Sequence, residues 1–274
     1  MNIFNKIIRK LVQINIFWIF LNKIVGLGKR IQVQKNIVNN RPTQKILNNL
    51  FSAPYKVLNG PFKGMLYPSI HATGSAIYPK LIGSYEQELH EITQQLIEYP
   101  FDEIWDIGCA EGYYAIGFAL KNNTAKVLAH DIEIKAQNMC KKMAEINNVS
   151  HKISIGGAIT PDSFENIDAN KKVLILSDCE GYEKHLFTSN TISNLKNCHV
   201  LIELHDMFDI EISTKIKAVF EASHHIQMIT SNDDIYKAHN YNYSESKNLS
   251  TKLRYELFAE RRLHIMEWIY AVPK

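Results

Sequence analysis

Four mostly apolar runs of the 274-residue chain, 101–106, 125–131, 172–178 and 197–203, each end in an acid. This repetition restricts the fold more than any other property. A run of that length with no polar alternation suits a strand covered on both faces, as in a parallel sheet with helical connections. Helix-period segments at 115–120 and 134–147 fit those connections, and 225–230 reads as a further strand. The sheet would gather Asp106, Asp131, Asp178 and Glu203 along its carboxyl edge, where open α/β sheets hold their ligands. Residues 265–272 would return as an antiparallel last strand. The fold class expected is therefore α/β, with a mostly parallel sheet.

The turn after the first run shows what such a crevice would hold. Small residues at the first turn of a helix let a ligand approach the backbone, and the helix N-terminus offers unpaired N–H groups. A dinucleotide fingerprint would read G-x-G-x-x-G, its amides facing a pyrophosphate. Here the run is Gly108-Cys-Ala-Glu-Gly112, with Ala110 at its centre and Glu111 in the turn. Glu111 would repel a pyrophosphate but not a ligand carrying an ammonium and a sulfonium. The pattern D-x-G-x-x-x-G-Y-Y over residues 106–114 resembles the first motif of S-adenosylmethionine-dependent methyltransferases of Rossmann-like fold. The resemblance implies that Asp106, Gly108, Ala110, Gly112 and Tyr113 contact that cofactor. Asp131, at the end of the second run, would accept hydrogen bonds from the ribose hydroxyls, with Glu133 as a substitute; Asp131 would equally serve as a helix cap. Glu86, at the start of the helix before the first strand, would pair with the ammonium or complement that helix's dipole.

Further along, D-C-E-G-Y-E at 178–183 and L-I-E-L-H-D at 201–206 resemble the later motifs of the FkbM-type methyltransferase family, and the chain end at 261–273 is similar to the close of that family's members. The likeness spans about residues 80 to 274. It implies a Rossmann-like class I methyltransferase sheet and O-methylation of a sugar or polyketide hydroxyl. His130-Asp-Ile-Glu133 departs from the F-E-P that many members carry at the second strand. Methyl transfer needs an aligned acceptor and removal of its hydroxyl proton. His205, oriented by Asp206 or Glu203, would be the general base, with Asp178 opposite as an acceptor-binding carboxylate. In another arrangement, Glu203 and His205 only cap buried backbone. Asp178, Glu203 and Asp206 would also suit a magnesium ion holding paired hydroxyls, an arrangement ranked below the metal-free one.

Charge divides the chain. Residues 1–85 hold twelve of the 31 Lys and Arg and no acid, so the remaining 19 face all 28 acids, a net of −9. Residues 1–48 are expected as a basic amphipathic extension, 49–85 as a lead-in with a hairpin near 62–67, and 86–274 as the methyltransferase domain. Between Gln34 and Pro79 the chain reads as loop. Ile3, Phe4, Ile7, Ile8 and Leu11 share a helical face opposite Lys6, Arg9 and Lys10. With Phe17, Trp18, Phe20 and Lys23 they would seat residues 1–25 either on an anionic membrane surface or against the domain or a second subunit. The apolar run is too short and interrupted to span a bilayer. A cytoplasmic protein is expected, placed on the inner membrane face where the first of these two arrangements holds. The four cysteines lack CxxC spacing and fit a reducing compartment. An acidic body disfavours a nucleic-acid backbone as partner. The polar, tyrosine-bearing segment 231–251 is expected as a loop rimming the site for a glycan-like or small-molecule acceptor.

Overall fold

The computed structural model describes residues 15–72 and 75–274, and the chain forms two compact units, Met1–Asn49 and Leu50–Lys274. In the first unit, helix α1 runs Asn15–Asn48 with Pro42 inside it. Residues 34–48 are thus helical, not loop. The turn signals behind the loop expectation all lie beyond Asn48, and a lone proline kinks a long helix without ending it. Ile19, Ile24, Val25, Leu27 and Ile31 are exposed on α1, among exposed Lys23, Lys29, Arg30 and Lys35. Phe17, Trp18 and Phe20 fall within α1. The amphipathic pattern of Ile3 to Leu11, with Lys6, Arg9 and Lys10, lies outside the described residues. Among the described residues no helix is long and apolar enough to cross a membrane.

The second unit opens with a two-stranded antiparallel hairpin, β1 (Tyr55–Lys56) and β2 (Leu66–Tyr67). Helix α2 (Ile77–Ile82) and helix α3 (His90–Glu98) follow, joined through a 3₁₀ turn at Gln87–Leu89. Strand and helix then alternate: β3 (Glu103–Ile107), α4 (Tyr113–Lys121), β4 (Lys126–His130), α5 (Ile134–Ile146), β5 (Ile153–Gly156) and β6 (Val173–Ser177). Two short helices, α6 (Glu183–Leu186) and α7 (Ile192–Leu195), precede β7 (His199–Leu204). The chain ends with α8 (Ile212–Phe220), β8 (His224–Thr230), α9 (Asp234–Asn240), α10 (Thr251–Phe258) and β9 (Glu267–Pro273).

These strands form a seven-stranded sheet in the order β5-β4-β3-β6-β7-β9-β8. β5 through β7 pair in parallel, and β9 lies antiparallel between β7 and β8. This is the mostly parallel sheet with an antiparallel last strand expected from the apolar runs, and the Rossmann-like arrangement that the resemblance implies. All five residues of β6 are buried, as are the last four of β3 and the last five of β7. Central parallel strands lie under helices on both faces, so each apolar side chain among them gains the ~1.5–3 kcal/mol of full burial. Their inner residues meet Phe164, Phe187 and Phe220 in one core. From β3 the chain winds outward to β4 and β5, then returns to β6 on β3's other side, which opens a crevice between the two tips.

One strand carries no sequence signal, and one expectation needs correcting. β5 is a four-residue edge strand that no long apolar run announces. Segment 231–251 is largely folded: Asp233 caps α9 by accepting the Ile235 and Tyr236 amides, and Ser250 caps α10. Tyr241 is buried, and the Tyr243 hydroxyl donates to the Gln87 side chain. Nothing from 231–251 lines the crevice; these tyrosines serve packing.

A candidate cofactor and acceptor cavity at the strand tips

A cavity of about 910 Å³ lies at the carboxyl edge of the sheet, at the large end of small-molecule sites. Eight carboxylates line it against Lys80, Arg261 and Arg262, so it favours cations over anions. Asp106, Gly108, Ala110, Asp131, Asp178, Glu203 and His205 reach it from four adjacent strand tips, and Glu86 and Tyr113 from the flanking segments. Gly112 and Asp206 do not line it.

The turn after β3 is shaped by protein neighbours rather than by ligand approach. Gly108 has φ +84, and a Cβ there would stand 1.7 Å from the Asp178 carbonyl oxygen. At Gly112, φ +94, a Cβ would meet the Cys140 sulfur at 2.8 Å. Glu111 does not face the ligand space either: it is fully buried and paired with Lys80 at 2.6 Å. Lys80 in turn lies over the rings of Tyr85 and Tyr113. Asp131 ties the turn to β4, its Oδ2 accepting the Ala110 amide at 2.9 Å and its Oδ1 the Glu133 amide at 2.8 Å. It thus organises the first turn before α5 while lining the cavity beside Ala110.

Asp106 is 5% exposed, and its Oδ2 is buried with no hydrogen-bond partner. Burial, with only partial relief from the Ala115 amide, pushes its carboxyl up to about 7. An orphaned buried carboxylate oxygen is costly, and here it belongs to a residue of the cavity wall. A cationic group or hydrogen-bond donor on a ligand would satisfy it. On this observation, and on the excess of acid around the cavity, the residues fit a cofactor bearing an ammonium and a sulfonium.

Arg262 joins the acids of three segments. Its guanidinium donates to Glu86, to Glu203 and, at 2.9 Å, to Glu260, with the Trp268 ring 5.0 Å away. Glu86 also accepts from the Tyr114 hydroxyl. Each Glu86 carboxylate oxygen thus already holds one protein donor while the residue lines the cavity. Glu203 is likewise turned to Arg262, not to His205, although burial still pushes its carboxyl well up. No sequence motif marks Arg262's role, since Glu203 and Glu86 lie 59 and 176 residues away along the chain.

His205 is 3% exposed, and its orienting partner is Glu183, whose Oε1 lies 2.7 Å from Nδ1. Asp206 cannot take that role, because it accepts the Ser213 amide at 2.8 Å and its hydroxyl at 2.6 Å. The acid three residues after Glu180 in D-C-E-G-Y-E supplies the contact because β6 and β7 are neighbours. On the cavity side, Nε2 faces Asp178 Oδ1 at 3.4 Å and Glu180 Oε2 at 3.7 Å. Burial opposes a charge on the ring, but the Glu183 hydrogen bond and the surrounding carboxylates outweigh it and raise His205 to about 9. Asp178 is half exposed into the cavity, yet protein surrounds that space; burial pushes its carboxyl up to about 6, against the pull of His205. The trio Asp178, Glu203 and Asp206 does not form a metal centre, since Arg262 holds Glu203 and Ser213 holds Asp206.

No family model and no curated protein matches the chain. Among solved structures, it is similar to the O-methyltransferase TomG of Streptomyces achromogenes, involved in tomaymycin synthesis and solved with S-adenosylmethionine, at 9% identity and a TM-score of 0.47 over 70% of this chain and 81% of that one. An O-methyltransferase of Bacillus cereus in complex with S-adenosylhomocysteine matches at 13% identity and 0.44, over 70% and 82%. The precorrin-6Y C5,15-methyltransferase of Geobacter metallireducens matches at 11% and 0.45, over 69% and 89%. At these identities and scores the likeness is one of outline, and the site stands on its own residues.

Proposed function

We propose that the protein is an S-adenosylmethionine-dependent methyltransferase acting on a hydroxyl of a sugar, glycan or related small molecule. The observation that carries this reading is the unpartnered Asp106 oxygen in the wall of an acid-lined cavity at the sheet's switch point. Asp106 would face the cofactor's positive end, and Ala110 and Asp131 would border its ribose. Gly108 lets the tip of β6 close on that of β3, keeping Asp178 beside the turn. When bound, S-adenosylmethionine supplies an electrophilic methyl group. An acceptor oxygen taking that methyl would have to give up its hydroxyl proton, to a base of the cavity wall or to water. Asp178, half exposed at the cavity, would orient the acceptor. Held as an imidazolium near neutrality, His205 would take that proton only at alkaline pH.

Acidity around the acceptor space supports neutral acceptors over phosphorylated ones, and disfavours a nucleic-acid backbone. The basic α1, with its exposed apolar residues, supports a peripheral place on an anionic cytoplasmic membrane face. The test is transfer of a tritiated methyl group from S-adenosylmethionine to soluble and membrane-derived glycan fractions. Label in a glycan that gains the mass of one methylene is the expected result; label that follows only nucleic acid or protein would overturn the acceptor class.

A further inference from the structure

The sequence trio fails as a metal site, but a different trio assembles where it was sought. One donor atom each from Asp178, Glu180 and His205 lies within 4.8 Å of the other two. His205 is 97% buried by its 3% exposure, and its cavity-side Nε2 takes no hydrogen bond among the described residues, facing only the two carboxylates. Behind it, buried Glu183 grips Nδ1. Metal-bound imidazoles are held in just this way, the second ring nitrogen bonded to a carboxylate that fixes ring orientation and raises basicity. Bonds of about 2.0–2.2 Å to nitrogen and oxygen set neighbouring donors roughly 3–3.5 Å apart. The observed separations of 3.4 and 3.7 Å from Nε2 sit at or just above that range.

We propose that Asp178, Glu180 and His205 bind one divalent first-row cation such as Mn²⁺ or Fe²⁺. One imidazole nitrogen with two carboxylates is a mixed donor set that suits these ions better than all-oxygen calcium sites do. Three protein ligands on one side leave positions open toward the cavity. Resting on the methyl-transfer reading above, those positions specify the acceptor: a hydroxyl with a second oxygen on the adjacent carbon, either a neighbouring hydroxyl or a carbonyl. Coordination of both oxygens would orient the nucleophile and let its proton pass to solvent water near neutral pH. Ligation through Nε2 uses the neutral ring, so the bound cation takes the place of the proton on that nitrogen.

The test uses the full chain, stripped with a chelator and titrated with Mn²⁺ in the absence of cofactor and acceptor, with free Mn²⁺ read by electron paramagnetic resonance. One tight Mn²⁺ per chain is expected. Glu180→Gln, on a side chain 75% exposed and so compatible with folding, should weaken it at least tenfold, and Glu211→Gln, outside the cavity, should not. Pulsed spectra should show a nitrogen coupling at the ion that His205→Gln removes. No stoichiometric binding, equal affinity in Glu180→Gln, or absence of the nitrogen coupling overturns the site while leaving methyl transfer intact. Mn²⁺ binding in a chain that fails to bind S-adenosylhomocysteine would instead support the site and overturn the methyltransferase reading.

Discussion

Asp106 joins a structural cost to a ligand preference. With its carboxyl near 7 against an ordinary 3.8, the folded chain keeps a proton that the unfolded chain releases between those values. That contribution to stability is full below about pH 4 and is lost as pH rises through about 7. Ligand-free protein should therefore melt at falling temperatures from about pH 5 to 8, and Asp106→Asn should flatten part of that slope. Binding has the opposite sign, because a cationic cofactor prefers the ionised carboxylate. Affinity for S-adenosylmethionine should strengthen from about pH 6 to 7, by up to about tenfold per unit for one titrating group. Calorimetry showing the same pH dependence in Asp106→Asn would remove Asp106 from the cofactor site. Arg262 is the other residue on which the cavity depends. Removing it leaves three buried acids facing one another, so Arg262→Gln should cost about 3–5 kcal/mol in urea unfolding. Arg262→Lys should recover little, since an ammonium cannot fork to three carboxylates. An unchanged midpoint in Arg262→Gln would show the network to be dispensable.

Elements were legible where one local rule decided them. β3, β4, β6 and β7 are apolar runs long enough to need cover on both faces, and their terminal acids fall in line because the strands are parallel. β5 has four residues, one of them exposed and none buried, and so lacks that signal. Asp131 illustrates a role that sequence divides correctly but cannot apportion: its carboxylate organises the turn before α5 and also borders the cavity. Part of any loss in Asp131→Ala would thus come from a loosened Ala110 turn. Glu183 and Arg262 were hidden because their partners come from other strands. The contact between β3 and β6 is testable at this scale. Gly108→Ala would force a left-handed residue and press a methyl group into the Asp178 carbonyl. At least about 2 kcal/mol of stability should be lost, read as a lower melting temperature. A variant as stable as the parent would mean that the two tips need not approach.

At the scale of the whole molecule, charge separates a basic N-terminal unit from an acidic second one. The exposed lysines of α1 would each contribute about 1 kcal/mol near an anionic leaflet. Replacing Lys23, Lys29, Arg30 and Lys35 by glutamate should abolish flotation with phosphatidylserine vesicles, and equal recovery of parent and variant would end the membrane assignment. In the second unit, the proposed methyl transfer rests on one cavity accepting an adenosyl cofactor. Calorimetric titration of the full chain with S-adenosylhomocysteine and S-adenosylmethionine tests this most directly. One site per chain is expected for each, with the sulfonium form gaining more than the neutral product as pH rises through about 7. No detectable heat at millimolar ligand, or binding untouched by both Asp106→Asn and Asp131→Ala, would contradict it.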